Sequence, residues 1–224
     1  MIFFDLDGTL LDHKVSEYLG INAFYKENIQ HFRIIEDDFY QMWCKISEKI
    51  FRKYLDGELT FAQQRNERIK EVFALVGIQL SDNEAEKKFQ TYLLNYENNW
   101  KLYDDVIPCL KALKGFRLGI ISNGDHTQQV QKLERMGIKD YFEVIIAAGD
   151  VGIAKPDARI FEIACEKAKI LPENCYYVGD DLSTDIMPCE KIGITGIWLN
   201  RNNDKTKISN IRMICGLNDL KRYL

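Results

Sequence analysis

Short apolar runs, each ending in polar or glycine residues, constrain this chain more than any other feature: Ile2–Phe4, Arg117–Ile121, Val144–Ala148, Tyr176–Val178 and Gly196–Leu199. Between the later runs lie helix-length stretches, roughly Asp104–Leu113, His126–Met136, Ala158–Lys169 and Ser183–Ile192. Strands that are apolar throughout, rather than alternating, are buried on both faces. Separated by amphipathic helices, they predict a doubly wound parallel sheet in an α/β fold.

One segment breaks the alternation. From 15 to 99 no buried strand is recognisable; stretches such as YQMWCKISEKIFRKYL and FAQQRNERIKEVFALV place apolar residues three and four apart. Asp56-Gly57 and Val76-Gly77 punctuate them. The expected organisation is a Rossmann-like α/β core of residues 1–14 and 100–224, with an inserted α-helical domain at 15–99. At 224 residues the chain is long enough for both.

In an open α/β sheet, ligands bind beyond the carboxyl ends of the strands. The residues just past each run are Asp5 and Asp7, then Ser122-Asn123-Gly124, then Lys155-Pro156-Asp157, then Gly179-Asp180-Asp181 with Asp185. In MIFFDLDGT, Asp7-Gly8 is an ordinary turn signal. A turn does not account for Asp5, which in extended chain points the same way as Asp7. Two such carboxylates side by side need a proton, a cation or a catalytic task. Asp5, Asp7, Asp180 and Asp185, with Asp181 nearby, converge on one edge, and hard oxygen donors without histidine suit Mg²⁺ rather than zinc. A carboxylate is also a competent nucleophile toward phosphorus. The Ser122 hydroxyl, backbone N–H groups near Asn123 and Gly8, and the Lys155 ammonium would surround the phosphoryl oxygens. Asp7 would then protonate the leaving oxygen and later activate water.

These residues resemble the four motifs of the haloacid dehalogenase superfamily: DLDGT, Ser122, Lys155 within GIAKPD, and GDDLSTD, with the helical insert where the family carries its C1 cap. The resemblance implies Asp5 as nucleophile, Asp7 as general acid/base, and Ser122 and Lys155 as phosphoryl-binding groups. It implies Mg²⁺ held by Asp5, the Asp7 carbonyl and Asp180. Asp185 would support the metal or hold Lys155, and Asp181 would assist. A dehalogenase lacks an aspartate two residues after its nucleophile, so Asp7 favours phosphate chemistry through an aspartyl-phosphate. QVQKLERMGIKDYFEVIIAAGDVGIAKPDARIF and IGITGIWLNR resemble the bacterial 5′-nucleotidase branch acting on pyrimidine and non-standard nucleoside monophosphates. A sugar-phosphate phosphatase, a phosphomutase and a non-catalytic phosphate-binding protein stay open as alternatives. Met187-Pro188-Cys189 departs from the small residues and glycine usual there, which leaves the backbone near Asp185 in question.

In the insert, Arg65 and Arg68 lie three apart on one helix and would face one way, either toward substrate or into solvent. Most of the aromatics Phe39, Tyr40, Trp43, Phe51, Tyr54 and Phe61 should be core, with one or two free to stack on a base. The formal charge of −4 and the scattered basic residues argue against nucleic acid or an anionic membrane as partner, leaving a small phosphate monoester. Six cysteines without a Cys-x-x-Cys pair fit reduced thiols and a cytoplasmic location. Nothing here fixes the oligomeric state.

Overall fold

The computed structural model describes residues 1–204 and 211–224. Six parallel strands form one sheet in the order β3-β2-β1-β4-β5-β6. They are β1 (Ile2–Phe4), β2 (Leu118–Ser122), β3 (Val144–Ala147), β4 (Tyr176–Gly179), β5 (Thr195–Leu199) and β6 (Arg212–Ile214). The chain moves outward from β1 through β2 to β3, then restarts beside β1 with β4. The strand order therefore reverses between β1 and β4, where Ile2 pairs with Leu118 on one side and Tyr176 on the other. Every residue of β1 and β2 is buried, as their unbroken apolar runs require.

The helices of this unit are α5 (Val106–Ala112), α6 (His126–Arg135), the short α7 (Ala148–Val151), α8 (Arg159–Ala168) and α9 (Met187–Lys191). One sheet face, carrying Phe3, Ile121, Ile146, Tyr177 and Trp198, packs with Ile160, Phe161, Ala164 and Cys165 of α8 and Cys189 of α9. On α8 those buried positions recur at three- and four-residue spacing, the signature of an amphipathic helix laid on a sheet. Phe161 meets Tyr177 edge-on, ring centroids 5.0 Å apart. The expected fold class is the observed one. The sixth strand, β6, was not among the expected ones: it is three residues long, and Arg212 and Met213 are exposed, so it lacks an apolar run.

Residues His13–Trp100 form a separate compact unit, and Met1–Asp12 with Lys101–Leu224 form the other. The helical unit contains α1 (His13–Glu27), α2 (Glu36–Leu55), α3 (Phe61–Ala74) and α4 (Asp82–Asn98). Thr60 and Ser81 start α3 and α4 with reciprocal capping boxes to Gln63 and Glu84, which satisfy otherwise orphaned N–H groups. Phe24, Phe39, Trp43 and Phe73 are fully buried in its aromatic core. Gly20 lets α1 approach α4 closely, since a Cβ there would lie 2.9 Å from the Tyr96 Cα. Phe51, Tyr54 and Phe61 are only partly covered. Among the described residues no helix is long and apolar enough to cross a membrane, and all six cysteines are free.

Phe161 sits where α8 meets the sheet, so Phe161→Ala removes a ring that no neighbour can replace. It is expected to cost about 3–5 kcal/mol, read as a lowered urea midpoint at unchanged slope.

Candidate active site

Each strand end at the reversal point delivers one charged or polar group. Asp5 follows β1 directly, and its N–H extends the ladder by donating to the Val178 carbonyl at 2.9 Å. The chain then turns, with Leu10 and Leu11 N–H groups both returning to the Leu6 carbonyl. Gly8 occupies this turn at φ +96°, and a Cβ there would collide with the Asp180 carboxylate. Both its backbone angle and the close approach of β4 thus require glycine.

Lys155 is the centre of the arrangement. It is 3% exposed, and its ammonium donates to Asp5 Oδ1 at 2.7 Å, Asp185 Oδ1 at 2.6 Å and the Tyr177 hydroxyl at 2.9 Å. Its backbone is fixed as well: Lys155 N donates to Asn123 Oδ1 at 2.7 Å, and Asn123 Nδ2 donates to the Lys155 carbonyl at 2.8 Å. This two-way amide bridge ties the loop after α7 to the end of β2. Tyr177 in turn donates to the Ile121 carbonyl or Asp185 Oδ1, each at 3.1 Å.

Asp5, Asp180 and Asp185 each bring one carboxylate oxygen within 4.8 Å of the others. Burial raises the Asp5 carboxyl well above its ordinary range; Lys155 opposes this, and Asp185 and Asp180 add to it. Desolvation, then Asp185, raise Asp180 to about 6. Burial alone would lower Lys155, but Asp185 and Asp5 more than reverse it and keep the ammonium charged. One ammonium thus faces three carboxylates, and the cluster is short of positive charge. Hard oxygen donors without a thiolate or imidazole fit a hard divalent cation.

Residues 1–193 match the haloacid dehalogenase-like hydrolase family. The chain belongs to it. The pyrimidine 5′-nucleotidase YjjG of Escherichia coli is 26% identical over 204 residues, covering 90% of this chain and 86% of that protein. A glyceraldehyde 3-phosphate phosphatase of Methanopyrus kandleri is 36% identical over 103 residues, a match spanning 45% of this chain and 44% of the relative. Among solved structures, the magnesium-bound HAD-hydrolase YfnB of Bacillus subtilis superposes with a TM-score of 0.85 at 23% identity, covering 99% of this chain and 96% of that one. That last likeness concerns the fold.

In this haloacid dehalogenase-like hydrolase the sequence-expected residues divide. Asp5, Ser122, Lys155, Asp180 and Asp185 lie at the strand ends around β1 and β4, Ser122 being 2% exposed. The Asp7 side chain turns toward α6. Asp181 turns away from the cluster: its Oδ1 accepts from Ser183 N at 2.8 Å and Thr184 N at 2.7 Å, capping the single π-turn Leu182–Ile186. The expected metal support from Asp181 is thereby replaced by a local cap, and Asp185 takes the interior position. Gly8 N–H donates to the Leu11 carbonyl at 2.9 Å, so this N–H is engaged within the turn rather than offered to phosphate. Pro188 falls in the first turn of α9, where its missing N–H costs nothing, and Asp185 one turn earlier is 2% exposed.

In the helical unit the Arg65 guanidinium lies 4.5 Å from the Phe61 ring centroid, and Arg68 donates to Gln64 Oε1 at 2.8 Å. Burial lowers the Arg68 pKa.

Three residues of the site were not foreseen from sequence: Tyr177, Gln129 and Lys132. For the last two, the spacing from Leu133 is in the sequence but their burial is not. On α6, Gln129, Lys132 and Leu133 share the buried face at the i, i+3, i+4 spacing, so two polar residues occupy core positions of an amphipathic helix.

A carboxyl whose pKa is raised by folding contributes stability below its unfolded pKa and loses it as pH rises through the folded value. Without divalent cations the protein should therefore lose stability as pH rises from about 4, the unfolded carboxyl value, to the Asp180 value of about 6. Urea midpoints in EDTA should fall less over that window for Asp180→Asn than for wild type; equal slopes would rule this out.

Proposed function

We propose that the protein is a Mg²⁺-dependent phosphomonoester hydrolase working through an aspartyl-phosphate on Asp5, with nucleoside 5′-monophosphates as preferred substrates. The observation carrying the chemistry is the pairing of Asp5 with Lys155 at 2.7 Å, next to a second carboxylate two residues on. Asp5 Oδ attacks phosphorus, and the bond to the ester oxygen breaks. The protonated Asp7 gives its proton to that departing oxygen. Water then attacks the phosphoryl group and passes a proton to Asp7, and the phosphorus–Asp5 bond breaks. Phosphate leaves and both aspartates are restored.

Lys155 is placed to neutralise charge on the transferring group. The Ser122 oxygen accepts from Gln129 Nε2 at 2.5 Å, which leaves its own O–H available as a donor to a phosphoryl oxygen. Asp5, Asp180 and Asp185 are the side chains that would hold Mg²⁺, which when bound supplies positive charge beside the phosphoryl oxygens. Asp185 would in addition hold Lys155 in place. The helical unit, inserted between β1 and β2, is proposed as the substrate-selecting cap, with Arg65 and Arg68 as its candidate polar contacts.

The nucleotide preference is supported by similarity to YjjG across 90% of the chain. A sugar-phosphate phosphatase is the second reading, supported by the higher identity, 36%, of the shorter match to the glyceraldehyde 3-phosphate phosphatase.

Phosphate release should be measured over nucleoside monophosphates, sugar phosphates and p-nitrophenyl phosphate, with Mg²⁺ and with EDTA. Release is expected only with metal, led by pyrimidine nucleotides, and Asp5→Asn should lower kcat by about a thousandfold or more. Leadership by sugar phosphates would replace the substrate class and keep the mechanism. Undiminished turnover in Asp5→Asn would discard the mechanism.

A further inference from the structure

We propose that Lys132 and Gln129 of α6 are positioning residues that hold the Asp7 carboxylate in the orientation its proton transfers need. This rests on the reading of Asp7 as general acid and base. The Lys132 ammonium lies 2.6 Å from Asp7 Oδ1 and 2.7 Å from Oδ2. Gln129 Nε2 donates to the same Oδ2 at 2.9 Å and to Ser122 Oγ at 2.5 Å. One amide group therefore spans the phosphoryl-binding hydroxyl and the proton-handling carboxylate.

These contacts are more than packing. Lys132 is 3% exposed and Gln129 is fully buried, in positions where leucine would seat an amphipathic helix without desolvating a charge. The neighbouring Leu133 does that in the usual way. The Asp7 side chain is one-quarter exposed, so its burial alone would not fix the two torsions that aim the carboxylate. Contacts to both oxygens do fix them, because a bidentate cation and a third donor are compatible with few rotations about Cβ–Cγ.

The platform under the clamp is itself anchored. Asp125 caps α6 through Gln128 N at 3.0 Å, and Gln129 N returns to the Asp125 carbonyl at 2.9 Å. The helix starts four residues after β2 ends. Its first turns are thus in register with Ser122, and the i, i+3 pair delivers both side chains to one point. The clamp couples the ends of β1 and β2 through side chains, where the backbone ladder has already stopped.

The two half-reactions depend on Asp7 differently, and that difference tests the idea. p-Nitrophenolate leaves without a proton, whereas an alkoxide needs one; breakdown of the phosphorylated Asp5 needs Asp7 whichever substrate formed it. In Lys132→Met the first-turnover release of nitrophenolate should stay within about threefold of wild type, while steady-state turnover falls about 30-fold or more. A stoichiometric burst should appear. The first turnover of an alkyl phosphomonoester should fall with the steady state.

Lys132→Met in an Asp7→Asn background should bring no further loss, since the group it orients is already gone. Lys132→Gln removes the charge but keeps a donor toward Asp7, leaves the Gln129–Ser122 contact in place and should show the same split at about 3- to 10-fold, so it carries the test if Lys132→Met does not fold. Equal losses in both half-reactions, or additive losses in the double variant, would mean that the clamp only stabilises the fold. Wild-type protein without Asp5-dependent turnover overturns the underlying reading and this proposal with it. Asp5-dependent turnover without the split overturns this proposal alone.

Discussion

The buried ammonium of Lys155 is the interaction on which the rest of the site depends. Taking a lysine out of water costs several kcal/mol, and the cost is met by two carboxylates and a phenol at hydrogen-bond distance. Those partners come from β1, β4 and the π-turn after it, so three separate stretches must be in place together. The geometry is correspondingly exacting. The Asn123 amide bridge pins the Lys155 backbone to β2, and Tyr177 reaches the site from the middle of β4 while its ring packs on Phe161. Core packing and the geometry of the Lys155 cluster therefore share a residue.

The same cluster remains electrostatically incomplete. A single cation among Asp5, Asp180 and Asp185 leaves the Asp5 and Asp180 carboxyls raised in pKa, by desolvation first and by neighbouring negative charge after. An assembly that is short of positive charge is well suited to a divalent cation. Stability is given up locally in exchange for a site that binds.

Around Asp7 the logic is different. Its carboxylate is held by α6, away from the Lys155 cluster, although it stands only two residues from Asp5. Two adjacent carboxylates thus acquire separate cations, Lys155 for one and Lys132 for the other. Separation of environments is what lets chemically identical groups take distinct tasks.

Much of this was legible in the sequence, because strands buried on both faces announce themselves as local apolar runs and the clustered polar residues follow them. Asp5, Ser122, Lys155, Asp180 and Asp185 could be read in that way, as could the helical insert from its three- and four-residue spacing. What local pattern could not carry was decided by contacts between distant segments. Strand β6 has no apolar run of its own and forms only because β5 offers a free edge. Asp181 and Asp185 both follow β4, and the π-turn alone decides which of them points inward. Lys132 and Gln129 read as ordinary polar residues on a surface helix until the sheet covers that face of α6. A side chain's polarity is local information, but its burial is a property of whatever packs above it, and that is fixed only when the whole chain has folded.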